Sequence, residues 1–389
     1  MPTAEQRHRS LRVAIVPDSF KGSASASEVA EAMAAGVRDA ASSSGVGLEI
    51  RTLPFADGGE GTLDALLGAW GTDARTTATT DALGRPTTAR YGVSPDGTSA
   101  IVEAAEANGL PRVSDVPLQP LAASTHGVGV LARAVLDAGC TDVLLCIGGS
   151  ATTDGGTGML RALGVRFLAA DGTELPDGGG HLRDLATLDT SGLDPRAAAA
   201  RWRIACDVTN PLVGERGAAA VFGPQKGATP ADVEVLDAGL SRLADVLADH
   251  TGVEVRDLPG AGAAGGMPAA LTALLGAEIA PGGLLVADTL GLPALLDGVD
   301  LVLTGEGRLD SQSFGGKVVD TVRGLTPPAV PVVVVAGSVQ VDAATLADAG
   351  ITAAFSIANG PQELSEMSTG AVAAVTATTT QVVRLLLAR

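Results

Sequence analysis

Short apolar runs that stop at glycine-rich polar loops recur along this chain. One of them, Val143–Gly148, continues into the glycine clusters of 148–158 around Asp154. Such a run is typical of a parallel strand covered on both faces, and open α/β sheets bind ligands just beyond the carboxyl ends of such strands. The pattern predicts a buried strand leading into a ligand loop. The alternative is a plain glycine turn in which Asp154 is the N-cap of the next helix.

The alternation of apolar run, polar loop and helix predicts an α/β fold with two domains. Six apolar runs are candidates for one parallel sheet with helices on both faces: Leu11–Pro17, Leu48–Pro54, Val143–Gly148, Leu301–Thr304, Val332–Ala336 and Ala353–Ile357. Thr-rich alternating segments from Thr72 onward are typical of antiparallel hairpins and indicate a second, mixed α/β domain inserted in the first. The predicted bounds are 1–71, 120–160 and 285–389 for the first domain and 72–119 and 161–284 for the second.

Charge and composition exclude some partners. The formal net charge is −18 and only nine of the 389 residues are aromatic, whereas nucleic-acid binding needs basic surface and stacking platforms. Unbroken apolar runs stay well below the roughly 18 residues of a membrane helix, and the polar start of the chain lacks the apolar segment of a signal peptide. Three cysteines without metal-ligand spacing favour a reducing compartment. We expect a cytoplasmic protein without nucleic-acid or membrane partners, either monomer or homodimer.

Lysine is rare in this chain and always stands beside glycine. Of the 26 basic residues only three are lysines, Lys21, Lys226 and Lys317. An ammonium group is a compact point charge that fits among phosphate oxygens. The lysines therefore indicate phosphate contacts; the alternative is three surface lysines that happen to lie near glycines.

Acidic residues accompany glycines at four predicted strand ends. They are Asp18, Asp57 with Glu60, Asp154, and Glu306 with Asp310. The spelling D-G-G-x-G occurs at both 57–61 and 154–158, which suggests two walls of one site, although two glycine turns can also arise independently. Phosphoryl transfer needs cations and backbone donors around the moving group, carboxylates for Mg²⁺ and a carboxylate that accepts a proton. The set predicts a kinase that lacks the Walker A and protein-kinase signatures.

A G-x-G-x-x-G match at Gly260–Gly265 supplies the alternative function. The match is a dinucleotide fingerprint only when it follows a buried strand, and the preceding Val-Arg-Asp-Leu-Pro is not a clear strand. The segment fits better as a tight turn at the start of a helix. The alternative is a nucleotide- or dinucleotide-binding protein, or an oxidoreductase, that uses this loop.

Ordered motifs along nearly the whole chain resemble the bacterial single-chain glycerate kinase family. They are VAIVPDSFKGS from Val13, ADGGEGT from Ala56, IGGSATTDGGTGM from Ile147, ACDVTNPL from Ala205, FGPQKGATP from Phe222, PGAGAAGG from Pro259 and LTGEGRLDSQS from Leu303. The resemblance implies a Rossmann-like first domain and a second α/β domain. It also implies phosphorylation of D-glycerate by Mg-ATP in glycerate and glyoxylate metabolism, with 2-phosphoglycerate the favoured product and 3-phosphoglycerate left open.

The resemblance also implies roles for the motif residues. Lys21 and the loops 148–150 and 154–158 are expected around the phosphoryl group, and Arg308 on the glycerate carboxylate, which a guanidinium grips with two bonds. The expected catalytic residues are Lys21, Asp57, Asp154, Asp207 and Arg308, with the three aspartates competing for Mg²⁺ and for the base. The expected nucleotide-binding residues are Asp18, Ser19, Gly148, Gly149, Ser150, Gly155, Gly156, Lys226 and Lys317. The expected substrate-binding residues are Gly58, Gly59, Glu60, Asn210, Glu306, Asp310 and Gln312.

Two positions depart from the family pattern. Thr153 stands where the family usually has asparagine, and Ser313 where it usually has threonine. Thr153 lacks the amide, so a hydrogen bond through that group is not expected here. Ser313 keeps the hydroxyl of threonine, so this difference should have almost no effect.

Overall fold

Two α/β units make up the chain. The computed structural model describes residues 10–42, 44–59, 61–360 and 364–388. Unit 1 comprises Met1–Asp57 and Val286–Arg389, and unit 2 comprises Gly58–Leu285. Unit 2 is thus inserted in the sequence of unit 1, and the predicted α/β class with an inserted second domain is confirmed.

The secondary structure alternates strands and helices along most of the described chain. The strands are β1 Leu11–Pro17, β2 Leu48–Thr52, β3 Arg75–Thr80, β4 Pro86–Val93, β5 Ser99–Glu103, β6 Asp142–Cys146, β7 Arg166–Leu168, β8 Thr187–Asp189, β9 Arg201–Ala205, β10 Glu278–Ala280, β11 Leu301–Gly305, β12 Arg308–Leu309, β13 Val332–Ala336, β14 Ser338–Val339 and β15 Ala353–Ser356. The helices are α1 Ala26–Ala41, α2 Thr62–Trp70, α3 Ala105–Asn108, α4 His126–Asp137, α5 Thr157–Ala162, α6 Pro195–Ala199, α7 Ala218–Phe222, α8 Pro230–Thr251, α9 Met267–Leu275, α10 Gly282–Leu290, α11 Leu292–Leu296, α12 Val318–Leu325, α13 Ala343–Asp348 and α14 Leu364–Leu387.

Unit 1 is built on a parallel sheet of five strands in the order β15-β13-β11-β1-β2. Val13 of β1 lies opposite Leu301 of β11 on one side and Ile50 of β2 on the other. The chain order reverses between β1 and β11, so the carboxyl ends of these two strands form the topological switch point of the sheet. Open α/β sheets bind their ligands at such a point.

Helices α1 and α14 pack together against this sheet. A capping box of Ser25 and Glu28 opens α1. At Gly36 of α1 a Cβ atom would lie 2.6 Å from the carbonyl oxygen of Thr376 in α14, and the Thr376 hydroxyl donates to the carbonyl of Ala32 at 3.1 Å. Glycine at position 36 therefore permits the close approach of the two helices.

The last helix is more apolar than the unbroken runs of the sequence indicated. Residues Glu366–Leu387 are long and apolar enough to cross a membrane by length and composition, and 33% of their most apolar stretch is buried. Val375 and Val383 lie in the core of unit 1 with Val37 of α1. Packing within unit 1 thus accounts for the buried face of this helix.

Unit 2 contains a mixed sheet of six strands in the order β10-β9-β6-β5-β4-β3. Strands β5, β6, β9 and β10 are parallel, and β3 and β4 form an antiparallel hairpin with β4 also antiparallel to β5. The hairpin predicted in the Thr-rich segment is therefore present. The carboxyl ends of β5, β6 and β9 lie at one edge of the sheet.

The sequence predicted a parallel sheet of six strands, whereas the parallel sheet of unit 1 contains five. The run beginning at Val143 forms β6, which pairs with β5 and β9 in unit 2 and not with β1 or β11. As a result, residues 58–71 and 120–160, expected in the first domain, belong to unit 2. Burial on both faces indicates that a strand is central, but it does not indicate which sheet the strand joins.

Candidate active site

Three loops of unit 1 converge at the carboxyl ends of β1, β11 and β13. The N–H of Asp18 donates to the carbonyl of Gly305 at 2.8 Å, and the N–H of Ser338 donates to that of Gly307 at 3.1 Å. A Cβ atom on Gly307 would lie 3.6 Å from the backbone nitrogen of Lys21. The switch point of the sheet therefore brings together the predicted residues of the 18–21 and 306–310 loops.

Two of the acids in this cluster have raised pKa values. Burial raises the pKa of Asp18 to about 6, and the negative charge of Asp57 adds to the effect. Glu306 is 9% exposed; burial raises its pKa to about 7, against a hydrogen bond from Ser313. Among the residues that the structure describes, nothing donates a hydrogen bond to Glu306 Oε1.

The predicted cations of unit 1 lie on the same loops. Lys21 and Arg308 are exposed, and neither side chain forms an ion pair or hydrogen bond with a described residue. Lys317 is half-buried at the N-cap of α12, and its charge acts to lower the pKa of Glu306. Lys21 and Arg308 therefore offer their charges to a ligand.

The other predicted residues of unit 1 have local partners or are exposed. Asp18 Oδ1 accepts from the N–H of Ser19 at 2.6 Å, and Asp310 Oδ1 accepts from the N–H of Gln312 at 2.9 Å. The carboxylate of Asp310 thus caps the turn at 311–314, while the Gln312 side chain is exposed. Asp57 is half-buried, and Glu60 lies outside the described residues.

In unit 2, Asp154 is fully buried and its carboxylate is surrounded by donors. Oδ2 accepts from the N–H and the hydroxyl of Thr125, both at 2.8 Å, and from the N–H of Gly158 at 3.2 Å. Oδ1 accepts from the N–H of Gly156 at 3.1 Å. Burial raises the pKa of Asp154 and these donors oppose the shift. The carboxylate ties its loop to the start of α4, and the geometry gives no support to the predicted metal or base role.

Gly155 and Gly156 serve packing in this structure. The N–H of Gly155 donates to the carbonyl of Gly265 at 3.0 Å, and that of Gly156 donates to Asp154. A Cβ atom at Gly155 would collide with Leu243, and one at Gly156 would lie 3.1 Å from the carbonyl oxygen of Met267. Both N–H groups are therefore used inside the protein, contrary to the expected contact with a phosphate.

A pocket of about 270 Å³ lies at the carboxyl ends of β6 and β9. It gathers the predicted residues Gly58, Gly59, Gly148, Gly149, Ser150, Asp207 and Lys226 with the apolar side chains of Ile147, Val208, Phe222, Ala263 and Ala264. A Cβ atom on Gly148 would lie 3.8 Å from the Cα of Gly59. The 58–59 turn therefore faces the 148–150 turn, and not the matching D-G-G-x-G turn at 154–158.

Lys226 is a buried cation in the wall of this pocket. It is 2% exposed, and its Nζ donates to Ser150 Oγ at 3.1 Å and to the carbonyl of Thr152 at 2.6 Å. Burial lowers its pKa to about 8, and the charge of Asp154 acts in the opposite direction. Because an ammonium group has three donors, one remains for a ligand.

Asp207 and Asn210 follow β9. Asp207 is exposed, and its Oδ1 accepts from the N–H of Gly282 at 2.8 Å. The amide of Asn210 donates to the carbonyl of Arg216 at 2.8 Å, and Asn210 is not part of the pocket lining. The structure thus places Asp207 at the pocket and uses Asn210 to hold its own loop.

The G-x-G-x-x-G segment lacks the context of a dinucleotide fingerprint. It lies between α8 and α9, and the described residues 252–259 contain no strand. Ala264 within it has a φ of 46° and is the only non-glycine residue of the described chain with positive φ. The loop contributes to the pocket through Ala263 and Ala264, not as a βα phosphate turn.

Sequence reasoning missed three contributors to these sites. Thr125, which donates twice to Asp154, lies at the N-cap of α4, and a threonine just before an apolar helix face is a recognisable N-terminal signal. Phe222 lines the pocket and Ser313 bonds to Glu306. Neither of the latter contacts has a local pattern in the sequence, because each joins residues brought together by the fold.

Comparison with known proteins agrees with the motifs. Residues 13–387 match the model of the glycerate kinase family. The chain is 44% identical over 362 residues to glycerate 2-kinase of Escherichia coli (strain K12), covering 93% of this chain and 94% of the relative. It is 43% identical over 357 residues to glycerate kinase of Bacillus subtilis (strain 168), covering 92% of each chain.

A solved structure agrees with the fold as well. The crystal structure of a protein described as glycerate kinase 2 from Salmonella typhimurium LT2 has a TM-score of 0.89 at 43% identity, covering 98% of this chain and 99% of that chain. The family model and these relatives extend over both units and all the ordered motifs. The chain therefore belongs to the glycerate kinase family of phosphotransferases.

Proposed function

We propose that this glycerate kinase transfers the terminal phosphoryl group of ATP to D-glycerate in the presence of Mg²⁺ and releases ADP. Family membership already implies a nucleotide and a small organic acid as substrates. The observation that carries the proposal is the pocket of unit 2, in which buried Lys226 and the turns 58–59 and 148–150 meet.

The two turns suit an anionic ligand. Gly149 has a φ of 71° and Gly58 a φ of 89°, which favour glycine and let the backbone approach a ligand closely. The N–H groups of Gly148 and Gly149 donate to no described residue. Together with the charge of Lys226, these donors support binding of the phosphates of ATP.

The free cations of unit 1 support binding of a second anionic group. Arg308 is assigned to the carboxylate of glycerate, because a guanidinium can bind both oxygens. Lys21 is assigned to charge stabilisation at the transferred phosphoryl group. Asp310 and Gln312 belong to the same loop and are assigned to the glycerate hydroxyls.

The carboxylates present fit a Mg²⁺ ion that is held mainly by the phosphates of a bound nucleotide. The described residues contain no group of three or more potential metal ligands, but Mg²⁺ bound through phosphates needs only one or two carboxylates. Asp207 at the pocket of unit 2 can supply one carboxylate, whereas the carboxylate of Asp154 is enclosed by its donors; half-buried Asp57 is a separate candidate in unit 1. When bound, Mg²⁺ neutralises part of the phosphate charge.

Phosphorylation at the 2-hydroxyl is favoured over the 3-hydroxyl. The support is the similarity to the relative named glycerate 2-kinase. Phosphorus NMR of the product distinguishes 2-phosphoglycerate from 3-phosphoglycerate. We further propose a cytoplasmic enzyme, and light scattering during size-exclusion chromatography decides between monomer and homodimer.

The test is ADP release by the purified enzyme, coupled to NADH oxidation. We expect release that depends on D-glycerate, ATP and Mg²⁺, and that stops when EDTA is added. L-glycerate and GTP are the matched controls for stereochemistry and base. A nicotinamide absorbance change with hydroxy acids and no glycerate-dependent ADP would instead favour the dinucleotide alternative at Gly260–Gly265, for which the structure offers no supporting strand.

A further inference from the structure

Glu306 occupies a fixed position at the switch point of unit 1. It directly follows β11, and its carbonyl accepts from the N–H of Gly337 at 3.1 Å. The preceding carbonyl, of Gly305, accepts from the N–H of Asp18. The backbone of Glu306 is thus held between the loops that follow β1 and β13, at the edge where this kind of sheet binds its ligands.

The side chain of Glu306 is buried but incompletely bonded. It is 9% exposed, and Oε1 has no hydrogen-bond donor among the described residues. Buried carboxylate oxygens normally have partners, because burial without one costs stability. Such an oxygen at a ligand-binding edge indicates that the donor comes from the ligand.

Four neighbouring groups affect the ionisation of Glu306. Asp18 faces it from the end of β1 and Asp310 from the following turn, and both disfavour its ionised form as burial does. The hydroxyl of Ser313 and the ammonium of Lys317 favour the ionised form. The balance raises the pKa of Glu306 to about 7, so the group can take up a proton near neutral pH.

We propose that Glu306 is the general base of the reaction, with Oε1 accepting the proton of the glycerate hydroxyl. The hydroxyl oxygen forms a bond to the terminal phosphorus of the nucleoside triphosphate. The bond from that phosphorus to the bridging oxygen breaks, and the nucleoside diphosphate leaves with the electron pair. This inference rests on the proposed function.

The three predicted aspartates fit this role less well. Asp154 is fully buried and its oxygens accept four hydrogen bonds. Asp207 accepts from Gly282 and lies exposed at the pocket of unit 2, where it is a candidate for Mg²⁺. Glu306, in contrast, has a buried oxygen without a hydrogen-bond donor among the described residues, and its pKa lies near neutral pH. A base whose pKa is near the working pH transfers protons efficiently.

The test compares Glu306→Gln with Glu103→Gln. Glu103 is a matched control in unit 2, because it is 6% exposed and burial raises its pKa to about 7. Its Oε1 accepts from the N–H of Leu63 at 2.7 Å, a bond that glutamine retains. We expect Glu306→Gln to lower kcat by about 10²-fold or more and to abolish the acidic limb of the pH profile near pH 7. Glu103→Gln should leave both unchanged.

The outcomes separate this inference from the proposed function. If the wild type releases no ADP with glycerate, the proposed function fails. If the wild type is active and Glu306→Gln keeps its kcat, or loses kcat while the acidic limb persists, Glu306 is not the base. Glu306→Asp guards against misfolding of the glutamine variant: it retains a carboxylate, so it should keep measurable activity and an acidic limb. Circular dichroism verifies that each variant is folded.

Discussion

Lys226 donates a hydrogen bond of 3.1 Å to the hydroxyl of Ser150 and thereby joins the 224–226 turn to the glycine turn after β6. The same ammonium group donates to the carbonyl of Thr152. A buried cation needs hydrogen-bond acceptors nearby to offset the loss of water. Because exposed backbone N–H groups lie beside it, an anionic ligand would stabilise the buried charge further. The pair therefore connects the folding of the pocket with its proposed phosphate binding.

Replacing Lys226 by methionine should lower activity. The variant removes the cation from the pocket but fills its volume, so we expect kcat/KM for ATP to fall by about 10²-fold or more. The folded-state pKa of about 8 is below the usual lysine value of 10.5, so the unfolded chain binds more protons between these values. Wild-type stability should therefore rise from pH 8 to 10.5 relative to the variant. Chemical denaturation across this range measures the difference, and unchanged kinetics would refute the phosphate role.

Replacing Lys21 by alanine should remove most of kcat. The side chain is exposed and makes no ion pair with a described residue, so its loss should leave the unfolding free energy nearly unchanged. Loss of charge stabilisation in the transition state predicts a fall of about 10²-fold. Steady-state kinetics with Lys21→Arg as the charge-retaining control should show partial recovery. Wild-type turnover in the alanine variant would exclude the catalytic role.

Unit 1 should become less stable as the pH rises from acidic to neutral. The pKa of Glu306 is raised from 4.5 to about 7 in the folded protein, so the folded state binds more protons than the unfolded state between these values. Stability contributed by this group is complete below pH 4.5 and is lost as pH rises through 7. In Glu306→Gln this loss should be absent, a difference on the order of 2 kcal/mol. Urea titrations at pH 5 and pH 8 measure it, and equal slopes with pH in both proteins would contradict the assignment.

Replacing Thr153 by valine should stabilise the protein. Thr153 is fully buried, and its hydroxyl has no partner among the described residues. Removal of an unpaired buried hydroxyl at equal volume should raise the unfolding free energy by about 1 kcal/mol. Thr152→Val is the matched control: the Thr152 hydroxyl accepts from the amide of Asn108 at 3.1 Å, so its loss should destabilise. Thermal unfolding of both variants gives the comparison, and a destabilised Thr153→Val would show that the hydroxyl has a partner in solution.

Alanine at Gly58 should disrupt the pocket. A Cβ atom there would lie 2.6 Å from the Cα of Gly282, and the φ of 89° adds backbone strain. We expect a loss of stability of about 2 kcal/mol or more and a large loss of activity. Gly61→Ala separates the two effects, because Gly61 has a φ of 92° with no atom within 4 Å of the added Cβ. Equal unfolding midpoints for the two variants would show that the contact with Gly282 does not matter.

Local patterns predicted many of the elements and some of their roles. The hairpin after Thr72 and the glycine turns each depend on residues close together in the chain, so sequence spacing sufficed to recognise them. The ordered motifs led to the family for the same reason. The contact of Asp154 with Thr125 has no local pattern, since the two residues lie 29 positions apart and only the fold brings them together.

The sequence by itself determined the α/β class, the strand-end loops that carry glycine with acid or lysine, and the family. These follow from hydrophobic periodicity and from motifs that fold locally. Tertiary structure alone decided that β6 joins β5 and β9, that Gly59 faces Gly148, and that Glu306, close to Asp18, has an oxygen without a donor among the described residues. The physical reason is that strand pairing, burial and the pKa values of acids depend on neighbours distant in the sequence, and no local pattern of residues encodes those neighbours.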